Sequence, residues 1–420
     1  MDSNSVRGVD RRRLLRWGGL AAAGVASAGV SLAGTSFAGT RERVARAPGA
    51  SPDPDRIPPA TLPGGAYDRY LAGLAAQGKF SGVVLLAHRG RTVLSRAYGL
   101  ADREREIPNS EATAFNLSSA GKPFSAVAVL QLAQQGRLHL TDPVGRHLTG
   151  FPKDVAERVT IHHLLTGTSG LYLGAQDRDR VFRSRREVHD YYERRARQAR
   201  LRGIPGAPST VHAEPDALLP ALIVQAVTGK TYWDHVEENI FRRCGMTGAG
   251  FYTTAQWLTD PRLAHPYMTV TGGATVDAVR HLDQGSPSPY ALGVNPGRVF
   301  IDAPGDGGFA SARDLARFAG ALTGGKLLNR PWTDVLLAAR TPLGPVTFGA
   351  YGIVMDIVDG QWVYQRSGGN PGVGANWSVY PQTGWTGVIL SNAEGVPLQD
   401  IIARETQAVT GAAPMAGAGG

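Results

Sequence analysis

Apolar residues along this chain recur at two spacings, and the switches between them mark out its elements. Residues 66–78 (AYDRYLAGLAAQG) carry apolar positions at helical spacing and end on a glycine. Segment 80–88 is rich in Val and Leu, Arg89-Gly90 is a turn pair, and 92–98 is strand-like again, which predicts a hairpin. The dense apolar stretch 124–135, closed by Gly136, reads as a helix, and further helices fit 161–165, 217–227, 232–242 and 312–322. The C-terminal part changes character. Segments 348–357, 361–365, 375–380 and 385–391 read as short strands separated by Gly and Pro turns, and a last helix fits 398–409. The order is helix, strands, a long helical middle, strands and helix. It predicts an α/β (α+β) fold in which the two ends share one antiparallel sheet flanked by helices, with the middle as a helical lobe. The boundaries are 65–118 with 300–412 for the α/β subdomain, 119–299 for the helical subdomain, and 413–420 for a flexible tail.

The first 38 residues follow a different pattern. DRRRLLR at 10–16 precedes an Ala/Gly-rich apolar run over 17–33, and Ser36-Phe37-Ala38 offers small residues where a signal peptidase reads. A basic region, an apolar core and a small-residue cleavage site make a secretory signal, and the paired arginines before two leucines resemble a twin-arginine signal. The expectation is an exported protein, secreted or periplasmic. It carries no stable membrane anchor after cleavage, since the apolar run is short and weak in insertion energy. Residues 39–64 are Pro-rich, polar and aperiodic, and read as a linker.

Composition narrows the function classes. A chain of 420 residues, 42% apolar and 19% charged, can build a large core. Its net charge is +9, but five arginines against Asp2 and Asp10 place part of that in the first 38 residues. The other arginines are scattered apart from a cluster over 178–202, and with no zinc-finger or basic–aromatic recognition element no nucleic-acid partner is expected. Cys244 is the one cysteine, so an intramolecular disulfide and a cysteine metal site are excluded. His162 and His163 are adjacent and would point apart on a helix, so no metal is expected. The Gly-rich stretches 305–308 and 368–374 lack the strand–loop–helix setting of phosphate or dinucleotide loops. They read as turns and as close backbone approach, and no cofactor is expected. Segment 184–203 (SRREVHDYYERRARQARLRG) reads as a charged amphipathic helix, either a solvated face or a lid selecting anionic substrates.

The chemistry concentrates around Ser119-Ala-Gly-Lys122 at a helix start. Serine and lysine three residues apart share a helix face. A serine hydroxyl is a weak nucleophile until a neighbour takes its proton, which a desolvated lysine can do, and the helix N-terminus favours developing negative charge. That four-residue pattern alone is common. Its context is specific: the segment 115–145, VTIHHLLTGTSGL at 159–171, the stretch 218–251, GDGGFASARDLARFAGAL at 305–322, and SGGNPGVGANWSVYPQTGWTGVILSN at 367–392. In this order they resemble the serine β-lactamase and penicillin-binding-protein superfamily, especially the class C β-lactamase, esterase and D-aminopeptidase branch. The resemblance covers roughly 66–410. It implies a β-lactamase/transpeptidase-like fold, Ser119 as the acylated nucleophile and Lys122 as its proton acceptor or electrostatic partner. It also implies an oxyanion hole from the N–H groups of Ser119 and Gly369.

Two motifs depart from that pattern. Where the family usually has Tyr-x-Asn, counting back from Val227-Thr228-Gly229, this chain has His212-Ala213-Glu214. Where the family has Lys or His, a small residue and Gly, it has Arg366-Ser367-Gly368, followed by Gly369. Histidine titrates near neutrality and can serve as a general base, oriented by a carboxylate such as Glu214. Arg366 keeps the positive charge and can grip a carboxylate with two hydrogen bonds, but it delivers no proton. Against this, Glu214 could be an ion-pair partner of Arg366 or Lys122, and His212 a solvated loop residue among Pro205, Pro208 and Pro215. The expectation is a serine hydrolase acting through an acyl-enzyme on a small-molecule or peptide ester or amide, carboxylate-bearing substrates included. An acyltransferase, another chemistry on the same fold, and a non-catalytic binding relative are the alternatives.

Overall fold

The computed structural model describes residues 55–208 and 213–412. Residues 1–54, on which the expected signal and most of the expected linker fall, His212, and residues 413–420, the expected tail, lie outside the described residues. The labelled helices are α1 (Ala66–Ala76), α2 (Lys122–Gln134), α3 (Ile161–Leu165), α4 (Arg185–Ala196), α5 (Glu214–Thr228), α6 (Ala312–Thr323) and α7 (Leu398–Thr410). The strands of the large sheet are β1 (Gly82–His88), β2 (Arg91–Tyr98), β3 (Thr341–Pro342), β4 (Thr347–Gly349), β5 (Val354–Val358), β6 (Gln361–Asn370), β7 (Val373–Tyr380) and β8 (Trp385–Ser391).

The sheet runs in the order β3-β4-β5-β6-β7-β8-β1-β2, with antiparallel neighbours throughout. The N-terminal hairpin joins the C-terminal strands through β1 and β8, Val84 opposite Ile389, so the two ends of the chain share one sheet. Every residue of β1 is buried because both faces of the sheet are covered. Val83, Leu85 and Ala87 enter the core beneath α2 and α6, while Val84 and Leu86 pack with Tyr67, Leu71 and Ile401 of α1 and α7. That double burial is why the segment reads as a continuous apolar run and not as an alternation. Helix α2 is buried continuously from Lys122 to Ala133, a central helix with no solvent face, and it packs against α5.

Four elements differ from their sequence expectation. The helix expected over 184–203 ends at Ala196 as α4, and a short strand follows at Arg200–Leu201. The 348–357 strand is broken into β4 and β5 by a tight turn with Gly352 at φ +71°. The 232–242 helix contains a π turn, Glu237–Phe241, whose wider winding leaves no mark on the apolar pattern. Strand β6, expected over 361–365, continues to Asn370. Its pairing with β5 stops at Gln365, whereas its pairing with β7 continues to Asn370. From Arg366 onward one edge of β6 is therefore open, and the turn carrying Ser119 packs against it.

One buried acid carries a stability prediction. Asp216, in the first turn of α5, is 8% exposed, and its Oδ1 has no hydrogen-bond partner among the described residues. Burial pushes its carboxyl up to about 8, against a weaker opposing hydrogen bond from Ser169. An unfolded aspartate ionises near 3.9, so the unfolded chain releases this proton first and stability falls as pH rises from about 4 to about 8. Asp216→Asn is expected to melt higher than the wild type at pH 8. The gain should shrink towards pH 5 at about 1.4 kcal/mol per pH unit, the slope for one proton. Melting curves across that range check it, and a gain independent of pH would contradict it.

Candidate active site

Ser119 lies in a 3-10 turn, Ser118–Gly121, that leads directly into α2, of which Lys122 is the first residue. The residue before Ser119 is strained. Ser118 has φ +46°, a left-handed conformation that costs a non-glycine residue about 1–3 kcal/mol unless its surroundings fix it. Here they do. Ser118 N–H donates to Asn116 Oδ1 (3.0 Å), its Oγ–H donates to the Gly369 carbonyl (3.0 Å), and its own carbonyl accepts from Gly307 N–H (3.1 Å). The strained turn thus aims Ser119 from a fixed frame.

The open edge of β6 forms the other wall. A β-carbon on Gly368 would stand 2.2 Å from the Leu117 carbonyl oxygen and 2.7 Å from the Ser119 nitrogen, so only glycine lets the strand approach this closely. Because Ser118 bonds the Gly369 carbonyl, that peptide edge faces the Ser119 turn. In an antiparallel strand the N–H of the same residue points the same way. Gly369 N–H is therefore directed to the side expected of an oxyanion donor.

Ser119 is 2% exposed and Lys122 7%. The Lys122 ammonium nitrogen lies 2.5 Å from Ser119 Oγ and 2.9 Å from Asp306 Oδ2. Burial lowers the affinity of Lys122 for its proton. The neighbouring Asp306 carboxylate opposes this, Arg366 reinforces it, and Glu214 opposes it more weakly, with a net shift downward. The amine is thus biased towards the neutral form that can take a proton from serine.

The remaining expected residues divide. Arg366 reaches the site but donates its Nε–H to the Ser119 carbonyl (3.0 Å), tying β6 to the turn, and it makes no ion pair among the described residues. Ser367 points the opposite way: its hydroxyl donates to Asn376 Oδ1 (2.7 Å) within the sheet. Alternation along the strand forces this, since Arg366 and Gly368 face the turn and Ser367 does not. Glu214 begins α5 and is held by both oxygens to Arg195 of α4 (2.8 and 2.6 Å), not to Arg366 or Lys122. Arg195 also donates to the Gly174 and Ala175 carbonyls, so helix 185–196 supplies a buried structural cation as well as a charged face. His212 falls outside the described residues.

Asp306 is the residue the sequence reading missed. Its only local signal was an acid between glycines in Gly305-Asp306-Gly307-Gly308, a stretch read as turns. Nearby Asp302 is half-buried, accepts from Asn116 Nδ2 (2.9 Å) and Gly308 N–H (2.7 Å), and is pushed up to about 7 by desolvation of its carboxyl. A cavity of about 150 Å³ opens beside Ser118, Asp306 and Asn370 and extends to Arg178, Arg180 and Tyr192. Away from the site, the donor atoms of Asp102, His265 and Asp277 lie within 4.8 Å of one another. Arg280 already supplies a cation there, bonding Asp102 (2.8 Å) and pairing with Asp277, with its Nη1 2.9 Å from His265.

Comparison with known proteins gives the family and agrees with the fold. The family model described as Beta-lactamase matches residues 41–411. The chain belongs to the Beta-lactamase family. Within it, the chain is 28% identical over 312 residues to PbpX of Bacillus subtilis (strain 168), named as a penicillin-binding protein, covering 74% of this chain and 70% of that one. It is 34% identical over 200 residues to Esterase EstB of Burkholderia gladioli, covering 44% of this chain and 49% of the esterase, about half the length of that relative. Among solved structures, the D-amino acid amidase of Ochrobactrum anthropi SV3 superposes with a TM-score of 0.65 at 20% identity, covering 82% of this chain and 98% of that one. The fold is the β-lactamase/transpeptidase-like one, an antiparallel sheet flanked by helices, and the family includes serine hydrolases.

Proposed function

We propose that this protein is an exported serine hydrolase that cleaves an ester or amide through an acyl-enzyme on Ser119. The observation that carries the reading is the 2.5 Å contact between Ser119 Oγ and a buried Lys122 amine. In this reading neutral Lys122 takes the serine proton as Oγ bonds the acyl carbon. The developing oxyanion faces the N–H groups of Ser119 and Gly369. As the tetrahedral centre collapses, the bond to the leaving group breaks and Lys122 returns the proton to it. Water then releases the acyl group by the same steps in reverse. Arg366, a cation beside this centre, favours a carboxylate-bearing substrate through its two Nη groups. The esterase and amidase relatives support ester or amide substrates, and the twin-arginine pattern at residues 10–16 supports export.

Rapid mixing with a panel of activated esters and amino-acid amides, neutral and carboxylate-bearing, tests the reading. The expected result is a burst of leaving group close to one equivalent per enzyme, followed by slower turnover. Absence of both burst and turnover across the panel would overturn it.

A further inference from the structure

We infer that Asp306 is a positioning residue for acylation: its carboxylate holds the Lys122 amine against Ser119 Oγ and stabilises the ammonium formed when that amine takes the serine proton. The inference rests on the acyl-enzyme reading above.

The geometry is a relay of three groups. Ser119 Oγ is 2.5 Å from Lys122 Nζ, and Nζ is 2.9 Å from Asp306 Oδ2. A lysine side chain has four rotatable bonds and no intrinsic preference for this pose, so a second contact is needed to hold it. Asp306 can provide that contact because its backbone is fixed to the nucleophile turn. Gly307 N–H donates to the Ser118 carbonyl and to Asp306 Oδ1 (2.9 Å), and the Gly308 carbonyl accepts from Leu117 N–H (2.8 Å). A β-carbon on Gly121 would stand 1.9 Å from the Gly307 carbonyl oxygen, so the two segments lie in direct contact. Gly307 and Gly308 adopt φ +68° and +90°, which a side chain would resist, and their glycines bring the Asp306 carboxylate round to the amine.

The charges around the amine assign the roles. Arg366 from β6 and burial in the core favour the neutral amine. Asp306 and, from the first turn of α5, Glu214 favour the ammonium. Glu214 is neutralised by Arg195, whereas Asp306 touches the amine itself. Asp302 and Tyr232 lie near Asp306 and respond to its charge. Burial therefore makes the neutral base available, and Asp306 keeps the ammonium from being stranded once it forms. The proton moves from Oγ to Nζ and on to the leaving group, while Asp306 stays an anion throughout, as the acid does in a Ser-His-Asp triad.

The test is the pH dependence of Ser119 phosphonylation by a fluorophosphonate probe, in which Oγ bonds phosphorus and fluoride leaves, followed by intact mass in wild type, Asp306→Asn, Asp306→Ser and Asp306→Glu. This step, like acylation, requires neutral Lys122, so the rate rises with pH through the pKa of Lys122. Removing the Asp306 charge lowers that pKa and moves the limb to lower pH, by about one unit. The plateau falls by about 10- to 100-fold because the ammonium loses its partner. Asp306→Ser must show the same displacement, which keeps the test intact if one variant folds poorly. Asp306→Glu should return the limb towards its wild-type position. A limb unmoved in both uncharged variants would overturn the inference even if the plateau fell, since a purely structural residue lowers the plateau alone. Failure of the wild type to be labelled would instead remove the acyl-enzyme reading, and this inference with it.

Discussion

Ser119→Ala is expected to lower turnover of every ester or amide substrate by at least about 10⁴-fold while leaving the melting temperature within a few degrees of the wild type. The two halves of this expectation have separate causes. In the proposed mechanism this hydroxyl is the atom that bonds the acyl group, and no other serine or threonine hydroxyl and no cysteine thiol among the described residues lies in hydrogen-bond contact with Lys122. The fold does not depend on that hydroxyl. The turn is held by Ser118, Asn116, Gly307, Gly369 and the Arg366 contact with the Ser119 carbonyl, all of which the alanine variant keeps. Steady-state kinetics with thermal melting distinguishes loss of the nucleophile from loss of the site. A variant retaining a tenth of wild-type activity would place the nucleophile elsewhere.

Lys122→Met is expected to cost about 10²–10⁴ in the acylation rate, the range for removing a positioned general base. Methionine keeps an unbranched apolar side chain in a position that is 7% exposed, so packing of α2 against its neighbours is preserved. Asp306 loses its ion-pair partner, but its side chain is 26% exposed and water can replace the amine. The variant should therefore fold. Its residual acylation should also lose the limb attributed to Lys122, with a flat rate over the pH range where the wild type rises. A retained limb would mean that a different group takes the serine proton.

Much of this architecture was legible in the sequence because local physics decided it. The hairpin of β1 and β2 follows from two apolar runs about a turn pair, and α2 from an unbroken apolar helix, since neither depends on distant partners for its form. The ends of β6 were less visible. Gly368 and Gly369 depress strand propensity, yet the strand continues through them because it stays paired with β7, and at Gly368 the Ser119 turn leaves no room for a β-carbon. The serine–lysine pair was legible for the same local reason, three residues on one helix start. Asp306 was not, because it lies 184 residues from Lys122 and meets it only after two glycines redirect the chain. The partner of Glu214 was hidden in the same way. Its charge predicted a partner, and three nearby candidates fitted, but the bidentate contact went to Arg195 across two helices. Alternation along β6 removed Ser367 from the site, a consequence of register that the motif's three letters do not carry.

The most direct measurement is peptide-level mass spectrometry of the protein after reaction with a fluorophosphonate probe, run beside Ser119→Ala and Lys122→Met. The account predicts one adduct per chain, located on the peptide containing Ser119, absent in the alanine variant and formed at least about 10²-fold more slowly in the methionine variant. An adduct on another residue, or a wild-type rate that the loss of Lys122 leaves unchanged, would contradict a Ser119 nucleophile activated by the buried amine.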